Sequence, residues 1–168
     1  MRELELYVHI PFCMKKCDYC DFLSAPADEK SQLAYVEGLK REIAYYGSCY
    51  KDAVLTSIYI GGGTPSWLQE RYLVAVLEEI NRYFIIQPKA EISIECNPGT
   101  LTKNKLETYK RNGINRLSIG LQSTDDQELR ELGRIHTFEQ FLRNYELARE
   151  CGFSNINIDL MNALPHQT

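Results

Sequence analysis

Apolar and polar positions along this chain fall into alternating short and long blocks. The short blocks lie at residues 4–10 (Leu-Glu-Leu-Tyr-Val-His-Ile), Thr56 to Ile60, Glu91 to Glu95, Arg116 to Gly120 and Asn155 to Leu160. Each is short, rich in β-branched or aromatic residues, and predicts a strand. Between the first two, Leu33, Val36, Leu39, Ile43 and Ala44 recur at helical spacing, which predicts a helix from Ser31 to Tyr46. A second helix is expected from about Ser66 to Tyr83, with Ser66 as its N-cap and Glu70 near the first turn. Thr102 caps a third helix to Asn112, stopped by Gly113. Helical stretches follow at about 125–132 and 137–151, ended by Gly152.

Five βα repeats predict a parallel sheet with right-handed crossovers. A barrel and an open doubly wound sheet both satisfy the pattern, and the placement of chemistry separates them. Cys13, Gly61 to Thr64, Glu95 to Asn97, Gln122 and Asp159 all fall at or just past the end of an expected strand. In β/α barrels that rim carries the active site, whereas an open sheet concentrates its ligands at one switch point. The distribution over all five strands favours the barrel. The fifth strand is followed only by Met161 to Thr168. Residues 1–168 are therefore expected to be the N-terminal portion of a longer protein, with the fifth strand left as a parallel edge.

Cys13, Cys17 and Cys20 are spaced C-x3-C-x2-C. A structural zinc site wants four ligands; three thiolates on one small loop suit a [4Fe-4S] cluster with one iron left open. A zinc loop and unliganded thiols are the alternatives. Tyr7 to Phe12 lead into the first cysteine, and Tyr19 and Phe22 bracket the last. They are expected to form an aromatic collar that keeps water off a cluster. Cys49, Cys96 and Cys151 have irregular separations and are expected to pack as small apolar residues. His9 and His136 could ligate haem, but a lone histidine on a strand or loop more often serves structure; His166 is left without a role.

Bulk properties narrow the partners. The 168 residues are 44% hydrophobic and 25% charged, with a net charge of −4. Acid and base are well mixed, so no basic stripe marks nucleic acid as a partner. No apolar run approaches the roughly 20 residues a membrane span needs. The start has no signal-peptide form, and a chain of this kind is expected to be cytoplasmic with reduced thiols.

The motifs together resemble a known family. Tyr7-Val8-His9-Ile10-Pro11-Phe12-Cys13 with the three cysteines is similar to the radical S-adenosylmethionine (SAM) superfamily. Gly61-Gly62-Gly63-Thr64-Pro65, Glu95-Cys96-Asn97-Pro98, Arg116 to Ser123, Leu132-Gly133-Arg134-Ile135-His136 and Asp159-Leu160-Met161 narrow the resemblance. In that order they resemble the oxygen-independent coproporphyrinogen III oxidase family. The resemblance implies a partial (β/α)6 radical SAM barrel, truncated after strand five. It implies Cys13, Cys17 and Cys20 as ligands of a [4Fe-4S] cluster. It also implies SAM binding by Gly62, Gly63, Thr64 and Glu95, with Tyr7 and Tyr19 lining the pocket and Gln122, Arg134 and Asp159 serving a second SAM.

Within that family there is an oxidase branch and a haem-chaperone branch. The oxidases carry a further cysteine two residues after the third ligand, where Phe22 stands here, and an extension ahead of strand one. The resemblance thus favours a chaperone that binds haem as cargo and passes it to haem-accepting proteins. The alternative is oxidative decarboxylation of a porphyrinogen, with a 5′-deoxyadenosyl radical as the hydrogen abstractor. Either requires an electron donor such as flavodoxin or ferredoxin. One stretch departs from the family: Asn162-Ala163-Leu164-Pro165-His166-Gln167 stands where Tyr-Gly-Leu-Pro-Gly-Gln is usual.

Overall fold

The computed structural model describes residues 2–164 and 167; His166 and Pro165 of the departing stretch lie outside them. Five strands, β1 (Arg2–Ile10), β2 (Ala53–Gly62), β3 (Ile85–Cys96), β4 (Arg116–Gln122) and β5 (Asn155–Leu160), form one sheet in the order β1-β2-β3-β4-β5. Every pairing is parallel. The helices are α1 (Glu29–Cys49), α2 (Glu70–Tyr83), α3 (Lys103–Arg111), α4 (Asp126–Glu131) and α5 (Phe138–Glu150). β1 and β5 are both edges among the described residues, so the sheet is an open arc of a barrel wall. No helix among the described residues is long and apolar enough to cross a membrane.

Period-two patterning builds the arc. Val8, Ile10, Ile58, Ile60, Ile92, Ile94, Leu117 and Ile119 are buried. They join one core with Leu73, Val76, Leu77 and Ile80 of α2, Leu106 and Tyr109 of α3, and Phe141 of α5. The alternate positions are Tyr7, His9, Tyr59, Ser93, Glu95, Ser118, Asn157 and Asp159, a polar set on the opposite face. A parallel sheet covered by helices on both faces reads as continuous apolar runs. Alternation here marks a wall with helices outside and a polar interior.

Several boundaries move. The second helix starts at Glu70 with Gln69 at its cap; Pro65–Trp67 form a separate 3₁₀ turn. Ser66 does not cap it. Its buried hydroxyl bonds Thr100 Oγ1 at 2.6 Å and accepts from the Asn97 amide at 3.1 Å, tying the β2 exit to the β3 exit. β3 begins six residues earlier than the expected Glu91, because Ile85 and Ile86 pair with Val54 and Leu55 before the register shifts. Pro88, which lacks an N–H, falls in that interruption. Thr102, Asp125 and Thr137 cap α3, α4 and α5, the last through a reciprocal bond pair with Gln140.

Candidate functional site

A cavity of about 410 Å³ opens where the C-terminal ends of the strands meet the loop after β1. Cys13, Cys17 and Cys20 face it from that loop, and Gly62, Gly63, Thr64 and Glu95 from β2 and β3. Gln122, Arg134 and Asp159 close it from the β4 and β5 side, and Tyr19 and Phe22 stand at its mouth.

The loop is closed at its base. The Cys13 amide donates to Ala25 O at 3.2 Å, and the Ala25 amide to Pro11 O at 3.0 Å. A tight turn brings the Cys20 amide to Cys17 O at 3.1 Å. The far side rests on the segment after α4, where the Asp18 amide donates to Leu132 O at 3.2 Å. Gly133 permits that approach: a Cβ there would lie 2.9 Å from the Asp18 carboxyl, and its φ is +73°. All six cysteines are free thiols. Burial pushes the Cys13 thiol above its ordinary pKa; a bond from Ser24 offsets this in part, while Cys20 and Cys17 add to it.

The glycine turn is knitted into both neighbouring strands. The Gly62 amide donates to Glu95 Oε2 at 2.9 Å, Gly63 to Ile10 O at 2.8 Å, and Thr64 to Phe12 O at 2.7 Å. Gly63 has no alternative: a Cβ would meet the Phe12 carbonyl oxygen at 2.6 Å. The amides of the turn are thus spent on the protein, and Thr64 O accepts from the Trp67 amide at 2.9 Å. Glu95 is held at both oxygens, the second accepting from the Tyr59 hydroxyl at 2.9 Å. Burial first, then that bond, raises the Tyr59 phenol to about 12. Across the cavity, Asp159 accepts from Asn157 Nδ2 at 2.8 Å and from the Ser118 hydroxyl at 3.3 Å. Gln122 has φ +73° at a register shift between β4 and β5. A side chain held in the left-handed region is locally strained and is characteristic of functional sites.

Comparison with known proteins decides the family. Residues 7–168 match the Radical SAM superfamily. The chain belongs to that superfamily. Its curated relatives include the "Heme chaperone HemW" of Haemophilus influenzae, 38% identical over 98% of this chain and 44% of the relative. That of Bacillus subtilis is 40% identical over 96% of this chain and 43% of the relative. Among solved structures, the radical SAM enzyme coproporphyrinogen III oxidase (HemN) of Escherichia coli superposes with a TM-score of 0.93 at 33% identity. That match covers 99% of this chain and 39% of the oxidase. The chain thus spans less than half the length of the relatives it matches. Radical SAM membership implies a [4Fe-4S] cluster and SAM as cofactors.

The residues present fit such a radical SAM centre. No group of three His, Cys, Asp or Glu side chains among the described residues converges to hold a single metal ion. A cubane takes each thiolate on a different iron and needs no such convergence. The Nε of Arg134 is buried at the cavity wall without a partner, a polar atom that a bound group could satisfy.

Tyr7 is the predicted site residue that does not reach the cavity lining. It is 57% exposed, stacks on Tyr59 at 6.2 Å, and bonds His9 Nδ1 at 3.0 Å. Tyr59, one strand inward, occupies the wall instead. The reading of the residues passed over Tyr59, although its period-two position beside Glu95 was the available signal. Asn97 and Ser118 also line the cavity. The aromatic collar is open: Phe12 is buried, but Phe22 is 66% and Tyr19 39% exposed. Their side chains extend past the rim, where no described element packs over them. Burial still raises the Tyr19 phenol. His9 and His136 are engaged by the protein. His9 Nε2 donates to Leu23 O at 3.0 Å, so Nδ1 accepts from Tyr7. His136 is buried, with Nε2 donating to Leu121 O at 3.3 Å. Cys96 is buried, Cys151 half-buried, and Cys49 exposed on α1.

Proposed function

We propose that this chain is the cluster- and SAM-binding core of a haem chaperone. The observation that carries the reading is the meeting, in one cavity, of a three-cysteine loop with the glycine turn and Glu95. Cys13, Cys17 and Cys20 would hold three irons as thiolates, leaving the fourth for SAM. Gly62 and Gly63 line the cavity with backbone, and backbone carbonyls accept hydrogen bonds, as an ammonium such as SAM's amino group requires. Glu95 supplies negative charge beside it, preoriented by Gly62 and Tyr59. Asp159 and Gln122 offer acceptors to a ligand's hydroxyls or amines from the opposite wall. When bound, the cluster and SAM supply one-electron reductive chemistry at a sulfonium. The reducing conditions this needs fit a cytoplasmic protein served by a flavodoxin- or ferredoxin-like donor.

Haem as cargo rests on the names of the relatives at 38–40% identity and on Phe22 at the cavity mouth. An oxidase needs the propionate carbon aligned with its abstracting centre, and an error of about 1 Å costs about 10²-fold in rate. An open mouth with an exposed phenylalanine suits docking of a flat apolar cargo better than such alignment. The second reading, coproporphyrinogen oxidation, is favoured by the close superposition on the E. coli oxidase.

Anaerobic reconstitution tests the site. About four iron and four sulfide per chain are expected, lost in Cys17→Ala. The electron paramagnetic resonance (EPR) of the reduced cluster should change on adding SAM. Stoichiometric zinc, or a spectrum indifferent to SAM, refutes the site. Haem binding without conversion of coproporphyrinogen III is expected, and rescue of an oxidase-deficient strain under anaerobic growth refutes the chaperone role.

A further inference from the structure

Arg134 touches a cluster cysteine as well as the cavity. Its Nη2 donates to Asn97 Oδ1 at 2.9 Å and to Gly120 O at 2.5 Å. Its Nη1 donates to Cys17 Sγ at 3.6 Å, a normal reach for a large sulfur acceptor. Three of the five guanidinium N–H donors are therefore engaged by the protein, leaving Nε–H and the second Nη1–H. Those two donors remain open to a ligand, while the Nη1–Sγ bond ties the same cation to a cluster cysteine. Arg134 takes part in no ion pair among the described residues, and Cys17 is the cluster cysteine its guanidinium touches.

The backbone holds this contact in place. The Arg134 amide donates to Leu129 O at 2.9 Å, and two residues earlier Leu132 O receives the Asp18 amide at 3.2 Å. The arginine segment is thus fastened to the cysteine loop at Cys17 and again at Asp18. The His136 ring bond to Leu121 O secures the far end of that segment to β4.

We propose that Arg134 is a positioning residue that raises the reduction potential of the cluster through Cys17. The inference rests on the cluster reading above. Reduction adds negative charge to a centre already surrounded by thiolates. A fixed guanidinium donating to one thiolate stabilises the reduced form more than the oxidised form, and hydrogen bonds to cluster sulfurs are a recognised control of potential. Lys15 and Lys16 also line the cavity, but both are exposed and solvent screens their charge. Arg134 is half-buried, so solvent screens its charge less.

The test is an EPR-monitored redox titration of the reconstituted protein without SAM, with SAM affinity measured separately. Arg134→Gln should lower the reduced-to-oxidised ratio at fixed potential by about tenfold, a shift of about 59 mV to the negative for one electron. Arg134→Lys should shift less. Asn97→Ala keeps the cation but frees one of the two Nη2 hydrogens, and should move the potential the same way by a smaller amount. A full cluster with unchanged potential in Arg134→Gln overturns the inference. So does weakened SAM binding with an unchanged SAM-free potential, since the arginine is then a ligand clamp. If Arg134→Gln loses its cluster, unchanged potentials in both Arg134→Lys and Asn97→Ala overturn it. Failure of the wild-type protein to take up iron and sulfide instead overturns the site reading on which the inference stands.

Discussion

Gly63→Ala is the sharpest probe of how the site is built. The added Cβ would lie 2.6 Å from the Phe12 carbonyl oxygen, 2.9 Å from its carbon and 3.0 Å from its nitrogen. Real Cβ atoms essentially never come within 3.0 Å and ordinary contact begins at 3.4 Å, so one backbone must retreat by about 0.4 Å to reach the limit and about 0.8 Å to reach ordinary contact. Neither side has a flexible side chain to yield. The segment that moves carries Cys13 on one side and Thr64 on the other, joined by bonds of 2.8 and 2.7 Å. Overpacking costs about 1–3 kcal/mol, and loosening the two bonds adds about 1 kcal/mol. A loss of about 2–4 kcal/mol in unfolding free energy is expected. Cluster occupancy should fall with it, because Cys13 is displaced relative to the other two thiols. Gly99→Ala is the control: φ is +85°, but nothing lies within 4 Å of its Cβ. It should cost only about 1 kcal/mol and leave iron content intact. Denaturant unfolding and iron analysis of both variants decide the matter. The reasoning fails if Gly63→Ala is no less stable than Gly99→Ala and reconstitutes fully.

His136 should make stability fall on acidification. Burial, and then the nearby Arg134, lower its pKa from 6.5 to about 4, so the native state holds the neutral ring. The contribution is present above pH 6.5 and is lost as pH drops from there towards about 4. It amounts to about 3 kcal/mol. Denaturant midpoints between these limits should show the slope, and His136→Gln should flatten it; an equal slope in the variant contradicts the assignment. Glu95→Gln keeps the shape and one acceptor, so stability should change by less than about 1 kcal/mol while SAM affinity falls about tenfold through loss of charge. Unchanged affinity by calorimetry would show that the carboxylate charge plays no part.

The strand cores were legible in the sequence because period-two alternation is a local property. Ile58-Tyr59-Ile60 and Ile92-Ser93-Ile94-Glu95 declare two faces whatever packs on them, and β5 falls at the expected Asn155–Leu160. The cysteine spacing and the glycine run likewise carry their chemistry locally, since both describe what a few consecutive residues can reach. Other features depended on partners distant in the chain. Ser66 resembles a helix cap, yet Asn97 and Thr100 compete for its hydroxyl and win through burial. Tyr7 and Tyr59 are similar by type, but the arc of the sheet sets Tyr7 on the edge strand and Tyr59 against Glu95. Arg134 reads as a free fork until the fold brings Cys17, 117 residues away, to its Nη1. Local pattern determines which residues form elements and which face they present. Only the closed geometry of several elements determines which polar groups remain free for a ligand, because each hydrogen bond made within the protein removes a donor or acceptor from the site.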